Sequence, residues 1–222
     1  MKKVFIVANL KSYKTENEAK NWLESFKNIK KLNSDLSQKE IIICPPFTLL
    51  ELFKDFFLAN QVKAFLGAQD LSPFGEGAYT GEVNAKQIKD FADYVLIGHS
   101  ERRKNFNETK DLLNEKVRLA LNYALKPIYI IQNKEEEIPQ GVELVAYEPI
   151  EAIGSGQPDS PENADNAAQA VKFKLNEYNI LYGGSVTSEN VNNFTKMPNI
   201  SGVLVGGASL DPEEFIKIIK NA

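Results

Sequence analysis

Short apolar runs alternate with longer amphipathic segments from one end of the chain to the other. The short runs are rich in Ile and Val and have no polar face, as expected of strands that are covered on both sides. We expect these strands at Val4 to Ala8, Ile41 to Cys44, Ala64 to Ala68, Tyr94 to Ile97, Pro127 to Ile131, Leu144 to Tyr147, Ile180 to Tyr182 and Val203 to Val205.

Helix signals fall between these runs. Thr15 with Glu18, and Thr48 with Glu51, have the spacing of capping boxes, in which two side chains satisfy the first backbone N–H groups of a helix. We expect helices at Glu16 to Lys31, Leu49 to Asn60, Ala85 to Phe91, Glu108 to Ala124, Pro161 to Glu177, Glu189 to Phe194 and Pro212 to Lys220.

Strands that alternate with helical crossovers predict an α/β fold, a (β/α)8 barrel closed by a parallel eight-stranded sheet. An open doubly wound sheet is the alternative. That fold usually has a Gly-rich turn after its first strand, and the segment from Ala8 to Lys11 contains no glycine. The composition shows no linker, so we expect a single barrel domain over residues 1–222.

One crossover is too short for a regular barrel. Gln132 to Glu143 is broken by Pro139 and Gly141, which leaves room for little more than a turn or two of helix. A crossover of about a dozen residues is near the practical minimum. We therefore expect the fifth helix to be missing or much shortened.

Composition excludes some partners and indicates a compartment. The 222 residues carry a net charge of −4, so the chain has no basic footprint for nucleic acid. No apolar run is long enough to cross a membrane. Cys44 is the only cysteine, and the N-terminus has no signal-peptide pattern, so we expect a cytoplasmic protein.

In a parallel barrel the functional residues lie just after the strands, at their carboxyl ends. Asn9 and Lys11 follow the first strand, His99 follows the fourth and Glu148 follows the sixth. Taken singly, each has an ordinary explanation, such as a solvated charge or a structural histidine. Together they offer a cation, the single histidine of the chain and a base at one end of the barrel.

Glycine-rich turns complete this pattern. Gly183-Gly184-Ser185 and Gly206-Gly207 follow the last two strands, where many barrels bind phosphate through backbone N–H groups. After Glu148, Pro149 sets the direction of the chain and an apolar tip leads to Gly154-Ser155-Gly156, which has the composition of a hinged lid. The sequence therefore indicates a base beneath a closing loop.

The residues that carry a family resemblance are Asn9-Leu10-Lys11, Ala68-Gln69-Asp70, Gly77 to Glu82, Ile97 to Arg103, Ala146 to Pro149, Ala152-Ile153-Gly154, Tyr182 to Val186 and Val205 to Leu210. In these stretches the chain resembles the triosephosphate isomerase family along nearly its full length. The resemblance implies an enzyme that interconverts dihydroxyacetone phosphate and D-glyceraldehyde 3-phosphate in glycolysis and gluconeogenesis, without metal or cofactor.

The resemblance also implies roles for single residues. Glu148 would be the base. His99 would polarise the carbonyl as a neutral imidazole, because a helix starts just after it; this family is the standard example of such tuning. Lys11 and Asn9 would face the developing enediolate oxygen.

The remaining roles support the site. Ser100 and Glu101 would assist the catalytic groups, and the substrate phosphate would bind Gly154, Ser185, Gly206 and Gly207. The loop from Gln69 to Glu82 would reach into a partner subunit of a homodimer, with Thr80 near the Asn9 and Lys11 of the other chain.

Some positions depart from the family pattern. Glu151 and Leu10 stand where the family has Trp, and Ile130 and Gln132-Asn133 replace a Cys and a Gly-Glu pair. Two alternatives stay open: another barrel enzyme of phosphorylated sugars, such as a metal-dependent epimerase or a Schiff-base aldolase, and a phosphate-binding or structural protein that has lost catalysis. A single histidine disfavours a metal site.

Overall fold

The structure, a computed structural model, describes residues 3–31, 36–149, 158–174 and 178–222. Its strands are β1 (Val4–Asn9), β2 (Lys39–Cys44), β3 (Phe65–Ala68), β4 (Tyr94–Ile97), β5 (Lys126–Ile131), β6 (Leu144–Tyr147), β7 (Asn179–Tyr182) and β8 (Ile200–Val205). Each strand pairs in parallel with the next, and β8 pairs with β1, so the sheet closes into a barrel. The predicted fold class is confirmed.

The helices lie between the strands. They are α1 (Glu16–Phe26), α2 (Leu50–Asn60), α3 (Ala85–Lys89), α4 (Ser100–Phe106), α5 (Lys110–Asn122), α6 (Pro161–Lys174), α7 (Val191–Thr195) and α8 (Pro212–Asn221). The capping box of Thr15 and Glu18 is confirmed. The one predicted at Thr48 and Glu51 is wrong, because the chain enters α2 through the 3-10 turn Phe47–Leu49 and no side chain caps either element.

Alternation of side chains along the strands divides the core into two layers. Inside the barrel lie Phe5, Val7, Ile42, Cys44, Tyr94, Leu96, Ile128, Ile130, Leu144, Ala146, Leu181 and Leu204. The intervening residues, such as Ile6 on β1 and Val95 on β4, point outward and pack beneath the helices. Most positions on both faces of the strands are therefore apolar, which explains why the strands are predicted from hydrophobic runs.

An aromatic cluster attaches the outer helices to the site end of the barrel. Trp22 of α1 stacks on Phe26 with ring centroids 4.7 Å apart, and Phe215 of α8 lies 6.0 Å from Phe26. The indole N–H of Trp22 donates to the carbonyl of Ser209 at 3.0 Å. Ser209 belongs to the 3-10 turn Gly207–Leu210 that follows β8, so this cluster also fixes the turn at the mouth.

The connection between β5 and β6 contains turns but no helix over residues 132–143. The helix that would follow β5 in a regular barrel, the fifth crossover helix, is therefore missing as predicted; α5 lies before β5 and is a different element. We call this segment the short crossover.

The barrel closes at a tight seam between β1 and β8. Phe5 of β1 pairs with Gly202 of β8, and a Cβ atom at position 202 would lie 1.9 Å from the Phe5 carbonyl oxygen. The neighbouring pairing of β7 with β8 shifts register between Ile180 and Leu181. Only a residue without a side chain fits at this seam.

Candidate active site

The inward-facing series of residues continues beyond the strands into a cleft at the carboxyl end of the barrel. Asn9, Glu148, Gly183 and Gly206 each lie two positions beyond a residue of the inner core, so strand geometry directs them inward. The cleft has a volume of about 370 Å³. Its lining residues are Asn9, Lys11, His99, Glu148, Gly183, Gly184, Ser185, Val186, Thr187, Leu204, Gly206, Gly207 and Ala208.

His99 reaches the cleft because of the glycine before it. Leu96 points into the barrel and Ile97 points outward, so a continued extended backbone would turn the His99 side chain outward too. Gly98 has a φ of +80°, in the left-handed region that favours glycine, and this breaks the alternation. His99 then becomes the N-cap of α4 and lines the cleft, and it is buried.

The His99 and Glu148 side chains are in direct contact. Nε2 of His99 lies 3.2 Å from Oε1 of Glu148, and the backbone N–H of Ser100 donates to the other carboxylate oxygen at 3.3 Å. Nδ1 of His99 accepts the backbone N–H of Glu101, also at 3.3 Å. An imidazole with its proton on Nε2 fits both contacts, since a proton on Nδ1 would face another donor.

Burial and pairing oppose each other in this contact. Burial acts to lower the pKa of His99, but the hydrogen bond and charge of Glu148 outweigh it, and the pKa lies above the ordinary imidazole value. For Glu148, burial acts to raise the pKa, but the His99 contact and the hydrogen bonds from Ser100 hold it below the ordinary carboxyl value. The carboxylate is thus ionised at neutral pH and accepts a hydrogen bond from the Nε2–H group of the imidazole.

Lys11 stands on a strained turn across the cleft. Its φ of +52° is uncommon for a residue with a side chain, and such strain is concentrated at functional sites. The turn is held by Asn9, whose side chain accepts the Lys11 N–H at 2.9 Å, and by Gln69, whose amide donates to the Lys11 carbonyl at 2.8 Å. The Lys11 ammonium lies 2.6 Å from Oε1 of Glu101, whose other oxygen is 3.7 Å from Nδ1 of His99.

Glycine turns form the far wall of the cleft. Gly206 packs against Lys11, and a Cβ atom there would lie 3.1 Å from the Lys11 Cε, whereas at Gly207 it would meet nothing within 4 Å. The 3-10 turn begins at Gly207, and the first N–H groups of any helix have no partner within it. Ser185 lines the same wall. These groups form a cup suited to an anion.

Gly183 and Gly184 are needed because neighbouring side chains occupy the space that a Cβ atom would fill, which the sequence alone does not indicate. A Cβ atom at Gly183 would lie 2.6 Å from Cγ of Glu148, and one at Gly184 would lie 2.1 Å from the hydroxyl oxygen of Tyr182. That hydroxyl accepts the backbone N–H of Asp159 at 2.8 Å. The sequence predicts only a phosphate-binding turn at Gly183-Gly184, whereas the structure shows that the two glycines also make room for the Glu148 and Tyr182 side chains.

The structure thus brings most of the predicted site residues together. Asn9, Lys11, His99, Glu148, Ser185, Gly206 and Gly207 line one cleft, and Ser100 and Glu101 contact it from α4. Gly154, with the predicted lid, lies outside the described residues. Within the described ranges, no three His, Cys, Asp or Glu side chains are grouped so that they could hold a metal ion.

A family model described as triosephosphate isomerase matches residues 4–143 and 139–222, two segments that overlap at residues 139–143, at the end of the short crossover. The curated triosephosphate isomerases of Dictyoglomus turgidum and Thermus thermophilus are each 37% identical, over 254 and 255 residues, with all of both chains covered. That of Thermodesulfovibrio yellowstonii is 39% identical over 251 residues, covering 99% of this chain and all of the relative.

The chain belongs to the triosephosphate isomerase family. Membership in the triosephosphate isomerase family confirms the predicted resemblance and the predicted class of enzyme, an intramolecular isomerase of a triose phosphate. In the part of the chain that the structure describes, none of the helices has the length and apolar character needed to span a membrane.

Proposed function

We propose that this single-domain barrel enzyme interconverts dihydroxyacetone phosphate and D-glyceraldehyde 3-phosphate by proton transfer through an enediolate. The observation that carries the proposal is the contact of Glu148 with His99 inside a cleft that also holds Lys11 and a glycine-lined anion cup. A base, an electrophile, a fixed cation and a phosphate site are the groups that this reaction needs.

Glu148 is the base in this proposal. It is the one carboxylate among the described residues that line the cleft, and its lowered pKa keeps it ionised at neutral pH. Substrate bound between His99 and the anion cup would place its two carbons in front of this carboxylate. The carboxylate would then take a proton from one carbon and return it to the other.

His99 and Lys11 stabilise the oxygen on which negative charge develops. The Nε2–H group of His99, which now donates to Glu148, would donate to the substrate oxygen instead. The ammonium of Lys11 and the amide of Asn9 would face the negative charge on the same oxygen. Ser100 and Glu101 hold these groups through their contacts with Glu148 and Lys11. Ser185, Gly206 and Gly207 bind the phosphate, together with Gly154 of the lid.

The contacts of Lys11 disfavour the aldolase alternative. A Schiff-base lysine needs a neutral amine in apolar surroundings. The Lys11 ammonium is instead ion-paired with Glu101, and its side chain keeps 28% of its surface exposed.

We also propose a homodimer formed through the loop from Gln69 to Glu82. Phe74 and Tyr79 in this loop stack with ring centroids 4.3 Å apart, yet each is 44% exposed. Exposed aromatic surface of this kind is commonly covered by a partner. Thr80 would then approach Asn9 and Lys11 of the other subunit. Sedimentation at micromolar concentration should give about twice 24.9 kDa, and a clean monomer would refute the interface.

The activity is tested directly by a coupled assay with D-glyceraldehyde 3-phosphate, alongside competition by a phosphorylated hydroxamate that mimics the enediolate. Turnover that the hydroxamate blocks supports the proposal, and an inactive protein that still binds the hydroxamate would point to a phosphate-binding protein without catalysis. We propose that the enzyme acts in the cytoplasm, in glycolysis and gluconeogenesis.

A further inference from the structure

The short crossover folds back on its own first residue and contacts α4, the helix that His99 caps. Its residue Glu136 uses both carboxylate oxygens: Oε1 accepts the backbone N–H of Gln132 at 2.7 Å, and Oε2 lies 3.0 Å from Nη1 of Arg103 in α4. The two side chains are each 19% exposed, so most of this ion pair is removed from water. Glu136 therefore links the crossover to α4.

Arg103 in turn bonds the backbone just before His99. Its Nε donates to the carbonyl of Gly98 at 2.7 Å, and its Nη2 donates to the carbonyl of Ile130 on β5, also at 2.7 Å. A guanidinium is planar and rigid, so fixing one nitrogen orients the others. Glu136 pairs with Nη1, while Nε and Nη2 bond one carbonyl just after β4 and one near the end of β5.

One of the two carbonyls that Arg103 bonds belongs to Gly98, which sets the direction of the His99 side chain. Gly98 is the left-handed residue that turns His99 into the cleft. Its peptide has few side-chain restraints of its own, since glycine has no Cβ and populates many conformations. The hydrogen bond from Arg103 restricts that freedom one residue before the imidazole.

We propose that Glu136 is a positioning residue for the reaction, which acts through Arg103 and Gly98 to hold the His99 imidazole in its catalytic orientation. The inference rests on the proposed function of His99. It also assigns a task to the short crossover, since a segment without a helix supplies the carboxylate that completes the arrangement.

The neighbouring residue provides a matched control. Glu137 carries the same charge in the same crossover, but it pairs with Lys110, and the Glu137 and Lys110 side chains are 80% and 60% exposed. Replacing either glutamate by glutamine removes one negative charge at nearly the same place. Glu136 is the one that pairs directly with Arg103, so we expect the larger disturbance of Arg103 from the change at Glu136.

Steady-state kinetics of Glu136→Gln and Glu137→Gln test the proposal. We expect kcat of Glu136→Gln to fall roughly tenfold, since small displacements of a catalytic group cost one to two orders of magnitude, with KM changed less than about twofold. Glu137→Gln should stay within about twofold of the parent in both constants. Rates are expressed per binding site titrated with the phosphorylated hydroxamate, so a partly unfolded preparation does not mimic the effect.

A spectroscopic measurement isolates the imidazole. His99 is the only histidine of the 222 residues, so its ring signals in an NMR spectrum belong to one residue. We expect these signals, and the midpoint of their titration with pH, to shift in Glu136→Gln and to remain in place in Glu137→Gln. This readout does not need turnover, so it tests the role of Glu136 even if the parent protein shows no isomerase activity.

A third variant tests the route through Arg103. Arg103→Lys keeps the charge but cannot bond the Gly98 and Ile130 carbonyls and Glu136 at once. We expect it to reproduce the kcat and NMR changes, and the double variant with Glu136→Gln to be no slower than Arg103→Lys alone. Parental kcat and an unmoved His99 signal in Glu136→Gln, or losses that multiply in the double variant, would overturn the proposal.

Discussion

The two ends of the barrel each bury a glutamate, and the two differ in their partners. Glu148 at the mouth is 4% exposed, and Glu40, on β2 near the opposite end, is 5% exposed. Each borders a cavity, of about 370 Å³ at the mouth and about 430 Å³ at the base. Burial and cavity volume therefore do not tell the two carboxylates apart.

Their neighbours do. The Glu40 oxygens are taken up by the hydroxyl of Tyr94 and the ammonium of Lys3, so a fixed cation and a phenol satisfy the carboxylate. Glu148 faces a histidine that can exchange a proton and a cleft whose far wall can hold an anion. A candidate base is thus recognised by a titratable partner and a place for substrate charge, rather than by burial alone.

The largest effect should come from the mouth. Glu148→Gln keeps the shape of the side chain and removes the base, so we expect kcat to fall about 10³-fold, within the range typical of a lost general base. Affinity for the phosphorylated hydroxamate should persist, because the anion cup is unchanged. Parental turnover in the coupled assay would contradict the assignment of Glu148.

His99→Gln should have the next largest effect. A glutamine can still donate a hydrogen bond but does not reproduce the imidazole, and we expect a loss of about 10²-fold in kcat, as for a lost oxyanion donor.

The same variant should change the pH profile of kcat/KM, which reports ionisations of the free enzyme. Glu148 has a lowered pKa and stays ionised into acid, whereas His99 has a raised pKa and must be neutral to act. Activity should therefore fall on the acid side as pH drops through the pKa of His99, above the ordinary imidazole value of 6.5. The substrate phosphate titrates in both proteins, so the difference between the profiles is decisive, and identical profiles would contradict the role of His99.

Gly183→Ala tests whether catalysis depends on the close packing of the Glu148 side chain against the backbone of residue 183. The added Cβ would press on Cγ of Glu148 from 2.6 Å, and the carboxylate must move. We expect kcat to fall roughly 10- to 100-fold, the range for a displaced catalytic group, with a smaller change in hydroxamate affinity. An alanine variant with parental kcat would show that Glu148 has room to spare.

A change at Glu40, at the end of the barrel opposite the cleft, should have the smallest effect on catalysis. Glu40→Gln removes the ion pair with Lys3, and we expect kcat to stay within about twofold while the free energy of unfolding falls by about 1–3 kcal/mol, as for a buried hydrogen-bonded group that loses its partner. Chemical denaturation measures the loss. A large fall in kcat would erase the distinction between the two ends.

Much of the fold could be predicted because both strand faces are apolar. Errors occurred where local chemistry conceals the pattern. β8 begins at Ile200 rather than Val203, because Ser201 and Gly202 interrupt the apolar run. The separate helix α4 was not among the helices expected from periodicity, because Ser100 to Asn105 has no apolar stripe.

In the site, the residues at strand ends could be predicted because parallel strands bring their carboxyl ends to one edge. The supporting contacts could not, because they depend on distances between segments far apart in sequence. Gln69 holds the Lys11 carbonyl across 58 positions, and Gly183 is required only because Glu148 packs against it. Neither contact leaves a signature in local composition.

The seam at Gly202 has a consequence for how the protein is made. Of the eight barrel strands, β1 is synthesised before the others and β8 after them, and their pairing is a contact of long sequence separation, which forms at a high entropic cost. The cleft takes Lys11 from beyond one of these strands and Gly206 from beyond the other. The substrate site therefore cannot form before β8 has been synthesised, and we expect activity only once β8 has paired with β1.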